Sequence, residues 1–322
     1  MVRKYFLRFK NIILIIFSSI IITYIYKNIN WIELKEIIKQ ANSLSLILAF
    51  SLSIFLGYIS SIRYSYFSSI ILPDQFPSIK TSTKSYFIAS CFNLILPSKL
   101  GDLSKGFIAE SLDNRKYPQT LQIFTLYEKV SDLFALISIA LFISLVRFLT
   151  NYISFFSQEI YIYRQFILFF ILVNFSLFLL LLFFLAPKNR NLIKSLHLRL
   201  PTKIKEILFF GKRLTWKEFY KFQLFSVLIW LIHIFQMLLF ASSIGLSLWS
   251  LSGPFILIIS TLIGLLPISF AGVGTRDASL VYFLAPYFGN TKPLFLGILL
   301  TSRYVIPAIF GLLFLREVKL KK

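Results

Sequence analysis

The chain of 322 residues has one cysteine, two histidines and 13 acidic residues. A single Cys91 excludes an intramolecular disulfide and any metal site built on cysteines. His197 lies in a basic stretch and His233 in an apolar one. No ligand spacing links them, so no metal centre is expected, and His233 reads as an interhelical hydrogen bonder. The run GVGTR at 272–276 lacks the GxxxxGK[ST] pattern of a phosphate-binding loop, so neither nucleotide nor cofactor is expected. There is no nucleophile beside a base and no DxxD run. No stretch is polar enough, for long enough, to fold as a separate soluble domain. Residues 1–322 therefore read as a single membrane domain.

What the chain has is apolar bulk and positive charge. It is 57% hydrophobic with a mean hydropathy of +0.78, against about 45–50% apolar residues in soluble domains. The expected class is an all-α, polytopic helical bundle in the plasma (inner) membrane. Lys and Arg outnumber Asp and Glu by 34 to 13, a net +21. Nucleic acid is not the expected partner, because the charge concentrates in loops and termini, where topology and anionic headgroups account for it. Segment 187–221 holds ten Lys/Arg, from Lys188 to Lys221, against Glu206 and Glu218, and reads as a cytoplasmic loop. A docking surface for lipid or a partner is its alternative reading.

Longer apolar segments run at 11–26, 44–62, 131–146, 166–186, 222–246, 254–270 and 294–315. Shorter ones, at 85–97, 119–128 and 278–288, fall below the roughly 20 residues of a full crossing; the first reads as re-entrant or buried, and periodicity leaves both full crossing and folding back open for all three. Residues 31–42 read as an interfacial helix opening on Trp31. Arg63 marks the end of the second span. Both termini are basic and read as cytoplasmic, which requires an even number of crossings. About six full spans with paired short helices, about eight in all, meet that condition.

Two stretches break the apolar pattern. Residues 265–284 carry Pro267, Gly272 and Gly274, followed by Arg276 and Asp277. In hydrocarbon, broken backbone survives only inside protein or beside a wet cavity, and ionisable residues at that depth are functional candidates. A surface loop with Arg276 in water is the competing reading. Residues 93–107 form the other break. LPSKLGDLSK and LPISFAGVGTRD share Leu-Pro, a serine, a glycine and a basic–acidic neighbourhood about 170 residues apart. Paired breaks of this kind point to a transporter's central site and to a two-half pseudo-repeat. Glu128 and Asp132, at i and i+4, share a helix face and call for a cation; Lys99, Lys105, Arg276 and Arg303 are the candidates. Arg303 lies well inside its apolar segment and is expected to face inward toward a carboxylate partner.

These motifs resemble the membrane domain family named for lysylphosphatidylglycerol synthase, also called flippase-like. An N-x-x-L-P-x-[RK]-x-G-[DE] stretch is present as Asn93, Leu96, Pro97, Lys99, Gly101 and Asp102. An E-[RK]-x-x-D motif is Glu128, Lys129 and Asp132, and a late L-P-x-S-x-x-G-x-G-x-[RK]-[DE] stretch contains Pro267, Ser269, Gly272, Gly274, Arg276 and Asp277. An arginine in the last helix matches Arg303. The family more often has Pro where this chain has Phe270-Ala271, Glu at Asp102 and Asp277, and Arg at Lys99 and Lys129. These swaps keep charge while altering reach and bidentate geometry, so they bear on headgroup identity more than on fold.

The resemblance implies a lipid translocase. In the best-known member type the domain is fused to a soluble synthase, for which a chain ending at Lys322 leaves no room. Lys99, Lys105, Arg276 and Arg303 would hold phosphate. Asp102, Glu128, Asp132 and Asp277 would pair those cations or hold a cationic headgroup. Asn93, Pro97, Lys129, Ser269, Gly272 and Gly274 complete the expected substrate site, and membrane lipids with anionic or phosphate-bearing headgroups are the expected partners. Two other readings stand beside it. One is a non-catalytic subunit supporting a biosynthetic enzyme, or a homodimer; the other is a membrane enzyme acting on a lipid phosphate through Glu128 and Asp132.

Overall fold

The computed structural model describes residues 30–96, 100–153, 214–250, 252–265 and 272–318, with isolated positions 23, 27, 172, 175 and 179. Every element among the described residues is helical. In chain order they are α1 (Trp31–Gln40), α2 (Ser43–Ile71), α3 (Ile79–Ile95), a 3-10 turn (Leu100–Ser104), α4 (Lys105–Asp113), α5 (Gln119–Ile153), α6 (Trp216–Ser243), α7 (Ser252–Gly264), α8 (Thr275–Phe288), α9 (Thr291–Phe314) and a second 3-10 turn (Leu315–Glu317). Among the described residues four helices are long and apolar enough to cross a membrane: α2, α5, α6 and α9. The expected spans at 11–26 and 166–186, the termini and most of the basic loop lie outside the described residues.

Local sequence accounts for the helix limits. Asn30 caps α1, its Oδ1 accepting from the N–H groups of Ile32 at 3.1 Å and Glu33 at 3.3 Å. Thr215 and Glu218 form a capping box at the start of α6: Thr215 N–H donates to Oε2 of Glu218 at 2.6 Å, and Glu218 N–H donates to Oγ1 of Thr215 at 3.3 Å. Asn114, in the left-handed region at φ 51°, ends α4.

Three segment limits differ from the sequence reading. Residues 119–128 are not a separate short segment. With no Pro or Gly between Gln119 and Ile153, they continue unbroken into the following span as α5. Arg63 does not end the second span, for α2 continues two turns beyond it to Ile71, just ahead of Pro73. In the expected span at 254–270 the helix covers Ser252–Gly264 and ends in a turn at Leu265, with 266–270 outside the described residues. Its 13 residues reach about 20 Å, less than the hydrocarbon thickness of about 30 Å.

The chain forms two compact units. The first comprises Met1–Ser61, Lys80–Asn114 and Ile232–Lys322, the second Ile62–Ile79 and Arg115–Leu231. In the first, α9 is the packing centre. Leu34 of α1 is buried with Leu294, and Oγ1 of Thr291 donates to Oε2 of Glu33 at 2.5 Å. Gly311 lies so close to α3 that a Cβ there would meet the Phe87 carbonyl at 2.1 Å. Cys91 Sγ donates to the carbonyl of Ala308 at 3.1 Å. Gln236 of α6 donates to the Ala49 carbonyl and to Ser53 Oγ, each at 2.7 Å. In the second unit α2, α5 and α6 meet around stacked and edge-on rings of Tyr64, Phe67, Phe124, Tyr127 and Phe222.

Candidate functional site

The late break lies between α7 and α8 in the first unit. The chain turns through Gly272 and Gly274, at φ +76° and +97°, values that side chains resist. A Cβ on Gly272 would also stand 2.9 Å from the carbonyl oxygen of Gly264. The helix restarts at Thr275 and brings Asp277 to its third position. There Oδ2 accepts from the N–H of Gly274 at 3.1 Å, supplying negative charge to a positive helix end. Its Oδ1 accepts from Arg276 Nε at 3.0 Å and Nη2 at 2.6 Å. Arg276 Nη2 also lies 2.7 Å from both the Gly297 carbonyl and Thr301 Oγ1 on α9. Both side chains are buried, Arg276 at 3% and Asp277 at 0% exposure. Arg276 is therefore buried in protein, not held in water as the competing reading had it. The pair locks α8 onto α9, and Gly297 makes the fit: a Cβ there would sit 2.6 Å from Asp277 Oδ1.

The early break follows the same plan with different chemistry. Asn93, near the end of α3, donates from Nδ2 to Asp102 Oδ1 at 2.8 Å and accepts the Asp102 N–H at 3.1 Å. Between them Gly101 passes so close that a Cβ would stand 2.5 Å from the Asn93 nitrogen. The 3-10 turn then hands over to α4, whose first residue, Lys105, is buried.

Among the described residues Arg303 is the third buried cation of this unit, after Lys105 and Arg276. It sits mid-way along α9 with 3% exposure. Its Nη2 donates to the hydroxyl of Tyr304, whose ring centroid is 4.7 Å from Cζ. The carboxylate expected beside it is not there: among the described residues Arg303 makes no ion pair.

The second unit carries its own network. Arg63 of α2 reaches two carboxylates on one face of α5. Its Nε and Nη2 donate to Glu128 Oε1 at 3.2 and 2.7 Å. Its Nη1 and Nη2 donate to Asp132 Oδ1 and Oδ2 at 2.6 and 3.2 Å. A further bond runs from Nη1 to Ser226 Oγ of α6 at 2.8 Å, and the Phe222 ring lies 5.3 Å from Cζ. Arg63 and Glu128 are 2% and 1% exposed, Asp132 17%. Gln223 donates to Ser131 Oγ at 3.2 Å beside this cluster.

Residues 11–312 match the family described as Lysylphosphatidylglycerol synthase TM region. The chain belongs to this family. It is a multi-pass membrane protein of a lipid-related kind. No curated protein and no solved structure matches it.

Placed on the lysylphosphatidylglycerol synthase TM fold, the sequence-derived residues fall into separate groups. Gly272, Gly274, Arg276 and Asp277 come together with Gly297 and Thr301, and Asn93 with Asp102. Glu128 and Asp132 meet in the second unit, where Lys129 on the next position of α5 is half-buried. Pro97, Lys99 and Ser269 lie outside the described residues. The sequence reading missed Arg63 as the cation between Glu128 and Asp132, because a charge at the end of 19 apolar-rich residues reads as a span boundary. Its signal was the apolar, serine-rich continuation to Ile71. Gly297 and Thr301 carried no signal, since a glycine and a threonine in an apolar helix are unremarkable until a partner helix is known.

Proposed function

We propose that this protein is a lipid translocase of the plasma (inner) membrane, moving a phospholipid or related lipid phosphate between leaflets along a polar path through its broken helices. The observation that carries this reading is the α7–α8 break. Two helices each too short to cross meet at a glycine turn, and the restarted helix begins with a fully buried Arg–Asp pair held to a spanning helix. Irregular backbone and ionised side chains in a membrane protein are tolerated where they line a protein-enclosed or wet path, and half-helix termini are a recurring device of transporters. Family membership supports a lipid-related role.

The test is lipid movement in liposomes containing the full chain. Fluorescent phosphatidylglycerol, its lysyl form and a polyprenyl phosphate are followed by one-sided quenching, for wild type and for Gly272→Val. Movement of at least one lipid, lost in Gly272→Val protein that still inserts, is the expected result. Movement of none by folded, inserted wild type removes the translocase reading and leaves a supporting subunit of a lipid or glycan biosynthetic enzyme.

A further inference from the structure

Among the buried arginines, Arg303 is unlike the others. Arg63 uses all three guanidinium nitrogens on Glu128, Asp132 and Ser226. Arg276 is held by Asp277, the Gly297 carbonyl and Thr301. Arg303 is as deeply buried, yet among the described residues its Nε and Nη1 have no hydrogen-bond partner. Nε carries one N–H and Nη1 two, so three of the five donors of this side chain are unengaged. A buried lysine or carboxylate escapes such a site by neutralising, but a guanidinium does not deprotonate in proteins. Its charge calls for an anion.

Pro307, also buried, has no N–H to give to the carbonyl of Arg303 four residues earlier, so that helical hydrogen bond is missing from this turn of α9. The position is held on both sides. Thr301, two residues before, is bound by Arg276, and Ala308, five residues after, accepts from Cys91. Arg303 is thus fixed by packed contacts of α8 and α3 with α9, not left on a mobile segment.

The geometry points to Arg303 as the seat of a phosphoryl group bound inside the first unit. Its free N–H groups lie on two nitrogens and face different directions, so a group offering several oxygens suits them better than the two of a carboxylate. The phosphoryl oxygens have two sources, a lipid headgroup or a free phosphate ion. The translocase reading bears on the choice of the lipid source, not on the existence of the seat.

Full-length protein in nonionic detergent is titrated with phosphatidylglycerol, with diacylglycerol of the same acyl chains, and with inorganic phosphate. Binding is read from tryptophan fluorescence and from the thermal unfolding midpoint. Wild type is expected to prefer phosphatidylglycerol over diacylglycerol by about 10- to 100-fold, the span of one or two charge-assisted hydrogen bonds. Arg303→Gln should bring the two lipids within about twofold, and Arg303→Lys should keep part of the preference. Without lipid, Arg303→Gln and Arg303→Met should unfold at or above the wild-type temperature, because each removes an uncompensated buried charge. Competition by millimolar phosphate assigns a seat that accepts the ion from either source; no competition assigns the lipid headgroup. Equal affinity for the two lipids in wild type overturns the proposal. So does an unchanged preference in Arg303→Gln, or early unfolding of both neutral variants. Phosphoryl-selective binding without lipid movement keeps the seat and removes translocation, whereas movement without phosphoryl selectivity does the reverse.

Discussion

Replacing Arg63 by Met tests whether the second unit is built around its charge network. The substitution keeps an unbranched apolar stem and removes the guanidinium. Five hydrogen bonds to Glu128, Asp132 and Ser226 are lost together. Bonds to charged groups contribute about 1.5–3 kcal/mol each when deleted singly, but they do not add. The larger effect is that Glu128, 1% exposed, loses its guanidinium partner and counter-charge. Breaking a buried pair from one side costs about 3–5 kcal/mol. At about 1.4 kcal/mol per decade, the folded-to-unfolded ratio should fall by about two to four orders of magnitude. The assay is SDS-induced unfolding in mixed micelles, followed by fluorescence. Glu128→Gln alone should also destabilise. The double variant should recover about 1.5–3 kcal/mol of the sum, because the carboxylate left behind is then neutral. A loss below about 1 kcal/mol in Arg63→Met, or simple additivity in the double variant, would refute the reasoning.

Other substitutions probe the breaks and the packing of α9. Gly297→Ala should cost about 1–3 kcal/mol and impair lipid movement, since its methyl would fall 2.6 Å from Asp277 Oδ1; equal stability of variant and wild type by SDS titration would sink this. Gly289→Ala is the control. Its φ of +70° costs about 1–2 kcal/mol, but with nothing within 4 Å lipid movement should survive. Asp102→Ala should destabilise by about 1–3 kcal/mol through the orphaned Asn93 amide, with Asp102→Asn milder, and the order of the two midpoints decides it.

How legible this molecule was depends on the scale of the feature. Apolar runs exposed the class and most helix positions, because burial in hydrocarbon demands long apolar segments wherever a helix crosses. Gly and Pro located both breaks, since they act on the backbone at their own position. Segment limits were less legible. A lone arginine looks like a boundary by hydropathy, yet Arg63 lies inside α2, because Glu128 and Asp132 reach it from elsewhere in the chain. The same locality explains why Asp277 was found and Gly297 was not: one is unusual for its surroundings, while the other matters only because α8 presses a carboxylate against it.

The contrast between Arg276 and Arg303 gives a last prediction. Both are matched by the family motifs, both are 3% exposed, and both were read from sequence as phosphate holders. Their surroundings now separate them. Arg276 engages a carboxylate, a carbonyl and a hydroxyl through one planar group, a pattern that a lysine's point charge reproduces poorly. Among the described residues Arg303 engages only the neighbouring Tyr304, through its hydroxyl and ring. In lipid-free detergent, Arg276→Lys should therefore lower stability by about 1–3 kcal/mol, the range for losing bonds to charged or buried polar partners. Arg303→Lys should lower it by less than Arg276→Lys does, since it gives up one hydroxyl bond and a ring contact and no carboxylate. Should the two lysine variants unfold together, Arg276 would not be the lock between α8 and α9. Should Arg303→Lys prove the weaker, Arg303 would hold a partner within the fold, and its unengaged donors would not be a place for ligand.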